Sequence, residues 1–339
     1  MVGVVLAVLL ALASVATAAP AGASSAGPYA PPDRPGPPLD VPPADLSASL
    51  TCTGNVVAAT REPVLLVAGT ALTPASNFSW NYERAFTRLG LPYCAVTLPD
   101  REMADIQTAG EYIVHAIRAM HQMSGRKVDI LGFSQGGMAP RWALRFWPDT
   151  RPLVDDLVGI DPSNHGTLDA NGACTPSCAP AVWQQRSGSH FLAALNSAAE
   201  TFAGISYTVV YSRDDEVVVP NFDASGSSSL HTGAGAVVNV AAQQICPTDL
   251  SEHLAMGSYD AVAYAVAVDA LTHPGPADPA RVPRSVCATP LQPGVDHLSF
   301  PTDYAAYAVG AVTVVATHPH TPTEPALAPY VWARPPPTP

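Results

Sequence analysis

Short apolar runs alternate with segments of helical period through most of this chain. Residues 63–68, 93–98, 128–131, 154–160, 205–212 and 236–241 are nearly continuous apolar stretches of strand length, the pattern of strands covered on both faces. Between them lie segments of 3.6-residue period. Residues 79–90 read as a helix. Ile106, Ala109, Ile113, Ala116, Ile117 and Met120 recur at helical spacing until Ser124-Gly125 ends the run. Met138, Trp142 and Phe146 mark a further helix, stopped by Pro148. Residues 254–271 read as one apolar helix closed by His273-Pro274-Gly275, and 302–317 as another, rich in alanine and valine. Strand–helix alternation of this kind implies right-handed crossovers and a mostly parallel sheet with helices on both faces, an α/β fold. Residues 168–204 break the rhythm and read as a small cap inserted over the C-terminal edge of the sheet, where α/β proteins bind ligands.

The ends carry a different pattern. Residues 1–19 form an apolar leader with small residues at Ala16 and Ala18, as in a secretory signal peptide, although no Lys or Arg precedes the apolar run. Residues 20–46 are rich in Pro, Ala and Gly and read as a linker. The folded domain is expected over 47–339, with the tail from 318 laid across its surface. Export would suit the six cysteines, an even number consistent with three disulfides. Cys174 and Cys178 lack further thiols or histidines at metal spacing, so a small disulfide loop is expected there and not a zinc site.

Composition narrows the function. Of the 339 residues, 47% are hydrophobic, enough for a large core, and the formal charge is −12. With no basic run, this acidity argues against nucleic acid and against electrostatic docking on anionic membrane, though not against contact with neutral lipid.

The candidate chemistry begins at Gly132-Phe133-Ser134-Gln135-Gly136, a G-x-S-x-G pattern between a strand and a helix. This nucleophile elbow holds a serine in strained backbone at a helix N-terminus, where free N–H groups favour a developing oxyanion. A serine hydroxyl needs a base, and the base needs an acid to orient it. In hydrolases of this architecture the order along the chain is serine, acid, histidine. Asp214, Asp215 and Glu216 follow the 205–212 strand, and His253 follows the next one. His297 also comes after the acid but not after a strand, so His253 is preferred. The oxyanion donors are expected to be the backbone N–H of Gln135 and Thr70, on the loop after the 63–68 strand. Acyl transfer by such a site needs no metal or cofactor, and no carboxylate cluster suggests a structural calcium site.

Taken together, Leu65–Thr70 (LLVAGT), Ser134–Gly137 (SQGG), Val182–Gln185 (VWQQ), Tyr211-Ser212 with Asp215-Glu216, and Glu324-Pro325 with Pro329-Tyr330 resemble the lipase B family, whose type member is the Candida antarctica enzyme. The resemblance runs from about Ser47 to the tail. It implies an α/β-hydrolase fold with triacylglycerol lipase and esterase activity, acting on ester or lipid substrates, at a lipid–water interface in some members. It gives Ser134, Asp215 and His253 as triad, Thr70 and Gln135 as oxyanion hole, and Gln185 as part of the acyl side of the pocket. It implies disulfides Cys52–Cys94 and Cys246–Cys287, with Cys174–Cys178 extra to the family pattern. Phe133 stands where the family has tryptophan, a change on the alcohol side of the pocket. The expected function is therefore a secreted serine hydrolase, a triacylglycerol lipase, with no obligate protein partner. The alternatives are a short-chain carboxylesterase or polyester hydrolase, or an inactive hydrolase-fold surface protein.

Overall fold

The computed structural model describes residues 28–334, so the leader expected over 1–19 lies outside the described residues. Seven strands form one sheet: β1 (Leu50–Cys52), β2 (Val64–Val67), β3 (Tyr93–Val96), β4 (Val128–Phe133), β5 (Val154–Ile160), β6 (Ser206–Tyr211) and β7 (Ala236–Ala241). Their spatial order is β1-β3-β2-β4-β5-β6-β7. Only β1 is antiparallel, on β3; every other pairing is parallel. The chain moves outward from β2 to β3, then crosses back to β4 and continues to β7. That reversal opens a crevice between the C-terminal ends of β2 and β4, the position where open α/β sheets bind ligands.

The continuous apolar runs are strands because both faces of the sheet are covered. On β2, Leu65 and Val67 face one core with the Ile106–Ser124 helix and Trp142, while Val64, Leu66 and Ala68 face another with Phe78, Phe86 and Val266. The long helix has the expected ends. Asp105 caps its first turn by accepting from the Gln107 N–H, and Gly125 ends it in the left-handed conformation at φ 67°.

Two expectations change. The single helix expected over 254–271 is two, His253–Met256 and Ala261–Thr272. Asp260 interrupts them because its carboxylate caps the second helix at the Ala263 N–H and also accepts from the Ser251 hydroxyl. Residues 28–46 are not a free linker either. Ala30 N–H donates to the Val331 carbonyl, Ala333 N–H to the Pro28 carbonyl, and Tyr29 pairs antiparallel with Trp332. Arg145 and the Trp147 indole donate to the carbonyls of Ala30 and Pro37. The proline-rich composition limits helix and sheet, not packing.

The tail beyond 318 lies across the surface as expected. Gln107 brackets it by donating to the Ala326 carbonyl and accepting from the Ala328 N–H, and the Tyr330 hydroxyl accepts from the Trp142 indole. Three disulfides join Cys52 to Cys94 across β1 and β3, Cys174 to Cys178, and Cys246 to Cys287. No helix among the described residues is long and apolar enough to cross a membrane.

Candidate active site

Ser134 follows β4 at φ 55° and ψ −123°, and Gln135 opens the next helix. The turn closes because its neighbours have no side chains. A Cβ on Gly132 would overlap the Gly136 carbonyl, and one on Gly136 would overlap the Val67 and Ala68 carbonyls. Backbone thus presses on backbone, and the serine hydroxyl is held at the apex beside the crevice.

The three acids after β6 separate cleanly. Asp214 accepts from the Gln243 amide, Glu216 from the His253 backbone N–H, and Asp215 turns inward. One Asp215 oxygen accepts from the Val217 and Val218 N–H groups at 2.8 Å each, and the other lies 2.8 Å from His253 Nδ1. His253 Nε2 stands 3.0 Å from Ser134 Oγ. The carboxylate is only an acceptor, so Nδ1 carries the proton and Nε2 is free to accept from the serine hydroxyl. The rival His297 is exposed on the turn before the Phe300–Thr317 helix and bonds neither Ser134 nor Asp215.

His253 is braced as well as bonded. Its helix is capped by Glu252, which accepts from the Leu254 and Ala255 N–H groups. The Phe133 ring packs against the imidazole with centroids 4.8 Å apart, in a slot that a Cβ on Gly69 or Gly257 would fill. Phe133 therefore supports the histidine as well as lining the pocket. Buried Asn77 ties the two sides together, accepting from the Gly69 N–H and donating to the Gly257 carbonyl.

Sequence reasoning missed Asp161, which follows β5 at φ 40° and is fully buried. One of its oxygens accepts from the Ser212 N–H at 2.8 Å, and its carboxyl lies against Asp215 and His253. Burial, then the Asp215 charge, pushes its pKa well above the carboxylate range. Its position at the C-terminal end of a strand between the serine and the acid was the available signal. Glu102 was also missed. It is buried in a turn where Asp100, Arg101 and Glu102 all have positive φ, and it accepts from the Gln135 amide at 3.1 Å.

Around the serine, Thr70 Oγ donates to the Gln135 side-chain oxygen at 3.0 Å, and the Gln185 amide donates to both Thr70 and Gln135. Ser163 in turn donates to the Gln185 oxygen. The Gln135 backbone N–H is the first of its helix and has no intrahelical partner. Two donor groups therefore flank the serine on opposite sides of the crevice, Gln135 after β4 and Thr70 after β2.

Above them lies a cleft of about 480 Å³. Its walls come from the inserted segment (Ala170, Ala173, Val182), from Val217 and Val218, and from the Phe300–Thr317 helix (Ala311, Val312, Val315). That helix walls the cleft and gives the core only one narrow face. It buries only Tyr307 and Ala311, and leaves Val309 and Val312 each 66% exposed. The inserted segment is fastened by the tail. The Trp183 indole donates to the Thr321 carbonyl, and Glu324 accepts from the Phe191 N–H.

A serine, histidine and carboxylate on three loops at the C-terminal edge of a mostly parallel sheet define an α/β-hydrolase. Comparison with known proteins narrows this. Residues 61–253 match the family Lipase (class 2), and the chain belongs to that family. It is 36% identical to Lipase B of Pseudozyma antarctica over 212 residues, a match spanning 62% of this chain and 61% of that protein. The crystal structure of Aspergillus fumigatus lipase B superposes with a TM-score of 0.79 at 30% identity, covering 86% of this chain and 73% of that one.

The electrostatics set a pH dependence. Burial pulls the His253 pKa down, but the charge and hydrogen bond of Asp215, with Glu216 and Glu252 nearby, more than offset it, and the pKa stands above the ordinary histidine value. A base must be neutral to accept a proton, so a raised pKa moves the loss of activity to higher pH. The acid limb of kcat/KM for a soluble ester is expected to have its midpoint above about 6.5. A midpoint near or below 6 would show that Asp215 does not set the state of this histidine.

Proposed function

We propose that this protein is a secreted triacylglycerol lipase working through an acyl-enzyme intermediate. Ser134 Oγ attacks the ester carbonyl while His253 Nε2 takes its proton, and Asp215 steadies the imidazolium that forms. The carbonyl oxygen, now negative, is held by the Gln135 N–H and by Thr70, whose hydroxyl turns from the Gln135 side chain toward it. The tetrahedral intermediate collapses and the alcohol leaves with the proton from His253. Water, activated by the same histidine, then releases the acid from Ser134. No metal or redox group enters these steps.

The observation that carries the reading is the unbroken hydrogen-bond chain from Ser134 through His253 to Asp215 at the floor of an apolar cleft. Phe133 and Gln185 line that cleft, Gln185 on the side expected for the acyl chain. Exposed Val312 and Val315 on its rim suit contact with a lipid surface, and the chain's acidity favours neutral lipid over anionic membrane. The three disulfides suit an oxidising, extracellular setting.

Rates on an emulsified long-chain triglyceride and on a soluble short-chain ester test the substrate class. A lipase keeps appreciable activity on the emulsion. Activity confined to the short ester would make the protein a carboxylesterase, and preference for an insoluble polyester would make it a polymer hydrolase.

A further inference from the structure

A second group of acids lies at the opposite end of the sheet from the cleft. Asp129 is near the start of β4, and Asp155 and Asp156 are near the start of β5. One carboxylate oxygen from each lies within 4.8 Å of those from the other two. Asp129 and Asp156 are 4% and 5% exposed, and each has a buried oxygen, Oδ1, with no hydrogen-bond partner among the described residues. An ionised carboxylate so far removed from water is costly unless a positive charge stands against it.

Two cations stand nearby, and each is already paired with one acid. Lys127 Nζ bonds Asp155 at 2.8 Å, and Arg126 lies 3.6 Å from Glu62, the fourth acid of the neighbourhood. Four carboxylates facing two cations leave two negative charges uncompensated.

We propose that Asp129, Asp155 and Asp156 bind a divalent cation of the calcium type, as a structural site remote from the catalytic serine. Calcium takes oxygen ligands at about 2.3–2.6 Å, so oxygens no more than 4.8 Å apart are close enough to share one ion. Asp129 and Asp156 form the dry side. Half-exposed Asp155 forms the open side, where the ion enters and water completes its shell. The ion would pin β4 to β5 where their register shifts, between Val128 and Ile130. Five residues of strand, about 16 Å, separate Asp129 from Ser134, so the ion takes no part in acyl transfer.

The test is thermal unfolding of the full chain at neutral pH after EDTA treatment, with and without millimolar calcium chloride, alongside calorimetric titration with the same salt. Expected are one binding event per chain and a Tm that climbs with calcium concentration, as for any ligand of the native state. Asp129→Asn with Asp156→Asn should abolish both while leaving the rate on a soluble ester unchanged. Should that pair fail to fold, Asp155→Asn, at the half-exposed ligand, is expected to shrink the calcium-induced Tm rise. Equal Tm values with calcium and with EDTA would overturn the proposal. So would a calcium shift that persists in Asp155→Asn, and so would Asp129→Asn raising Tm in EDTA without any calcium response in the native protein, the behaviour of two acids sharing a proton.

Discussion

Replacing Ser134 with alanine is expected to lower kcat on a soluble short-chain ester by roughly 10⁴–10⁶-fold, with the circular dichroism spectrum and Tm unchanged. The reasoning is geometric. Among the described residues, Ser134 supplies the one hydroxyl hydrogen-bonded to His253 Nε2, so nothing takes over the attack. Because the serine and histidine act as one unit, Ser134→Ala combined with His253→Ala should be hardly slower than either alone. His297→Ala should stay close to the native rate, since that side chain is exposed on a turn outside the site. Measured kcat values for the four variants check this. A Ser134→Ala enzyme that still turns over, or a His297→Ala enzyme that does not, would remove the mechanism.

Gly132→Ala is expected to be the most damaging small substitution for the fold. A methyl group there would occupy the space of the Gly136 carbonyl and crowd the Gly137 nitrogen. Neither is the end of a flexible side chain, so the elbow must open or β4 must shift against β2 and β5. We expect a loss on the order of 4 kcal/mol, which falls among the exceptional single-residue effects. Chemical denaturation should show the change in midpoint. A variant within about 1 kcal/mol of the native protein would mean that the elbow is looser than its contacts imply. Gly54, with open space around its Cα, is the matching control.

The elbow was readable from sequence because every requirement is local: glycines at 132 and 136, a strand before and a helix after. The order of Asp215 and His253 along the chain followed from connectivity in the same way. Features built from distant residues were not readable. Asp161 looks like any loop aspartate until β6 brings Ser212 and Asp215 against it. The cluster at the other end combines positions 129 and 155–156, which share no motif. The break at Asp260 was hidden because the residues around it are apolar enough to continue a helix, and only the capping bonds end it. The Phe300–Thr317 helix was ambiguous for another reason. Apolar on nearly all sides, it reads alike whether it fills a core or walls a cleft.

The pairing of residues 28–30 with 331–333 has a mechanical side. The two segments run antiparallel, with residues 28 and 333 at the same end of the pair. Force drawing those two points apart loads the hydrogen bonds one after another, as in a zipper, and not all together. The first bonds to give would be Ala333 to Pro28 and Arg34 to the Trp332 and Ala333 carbonyls. Beneath them lies the aromatic group of Trp142, Trp147 and Tyr330. Tethered by both segments, the protein should peel at low force down to that group and resist beyond it, while the catalytic loops at the sheet's C-terminal edge stay folded.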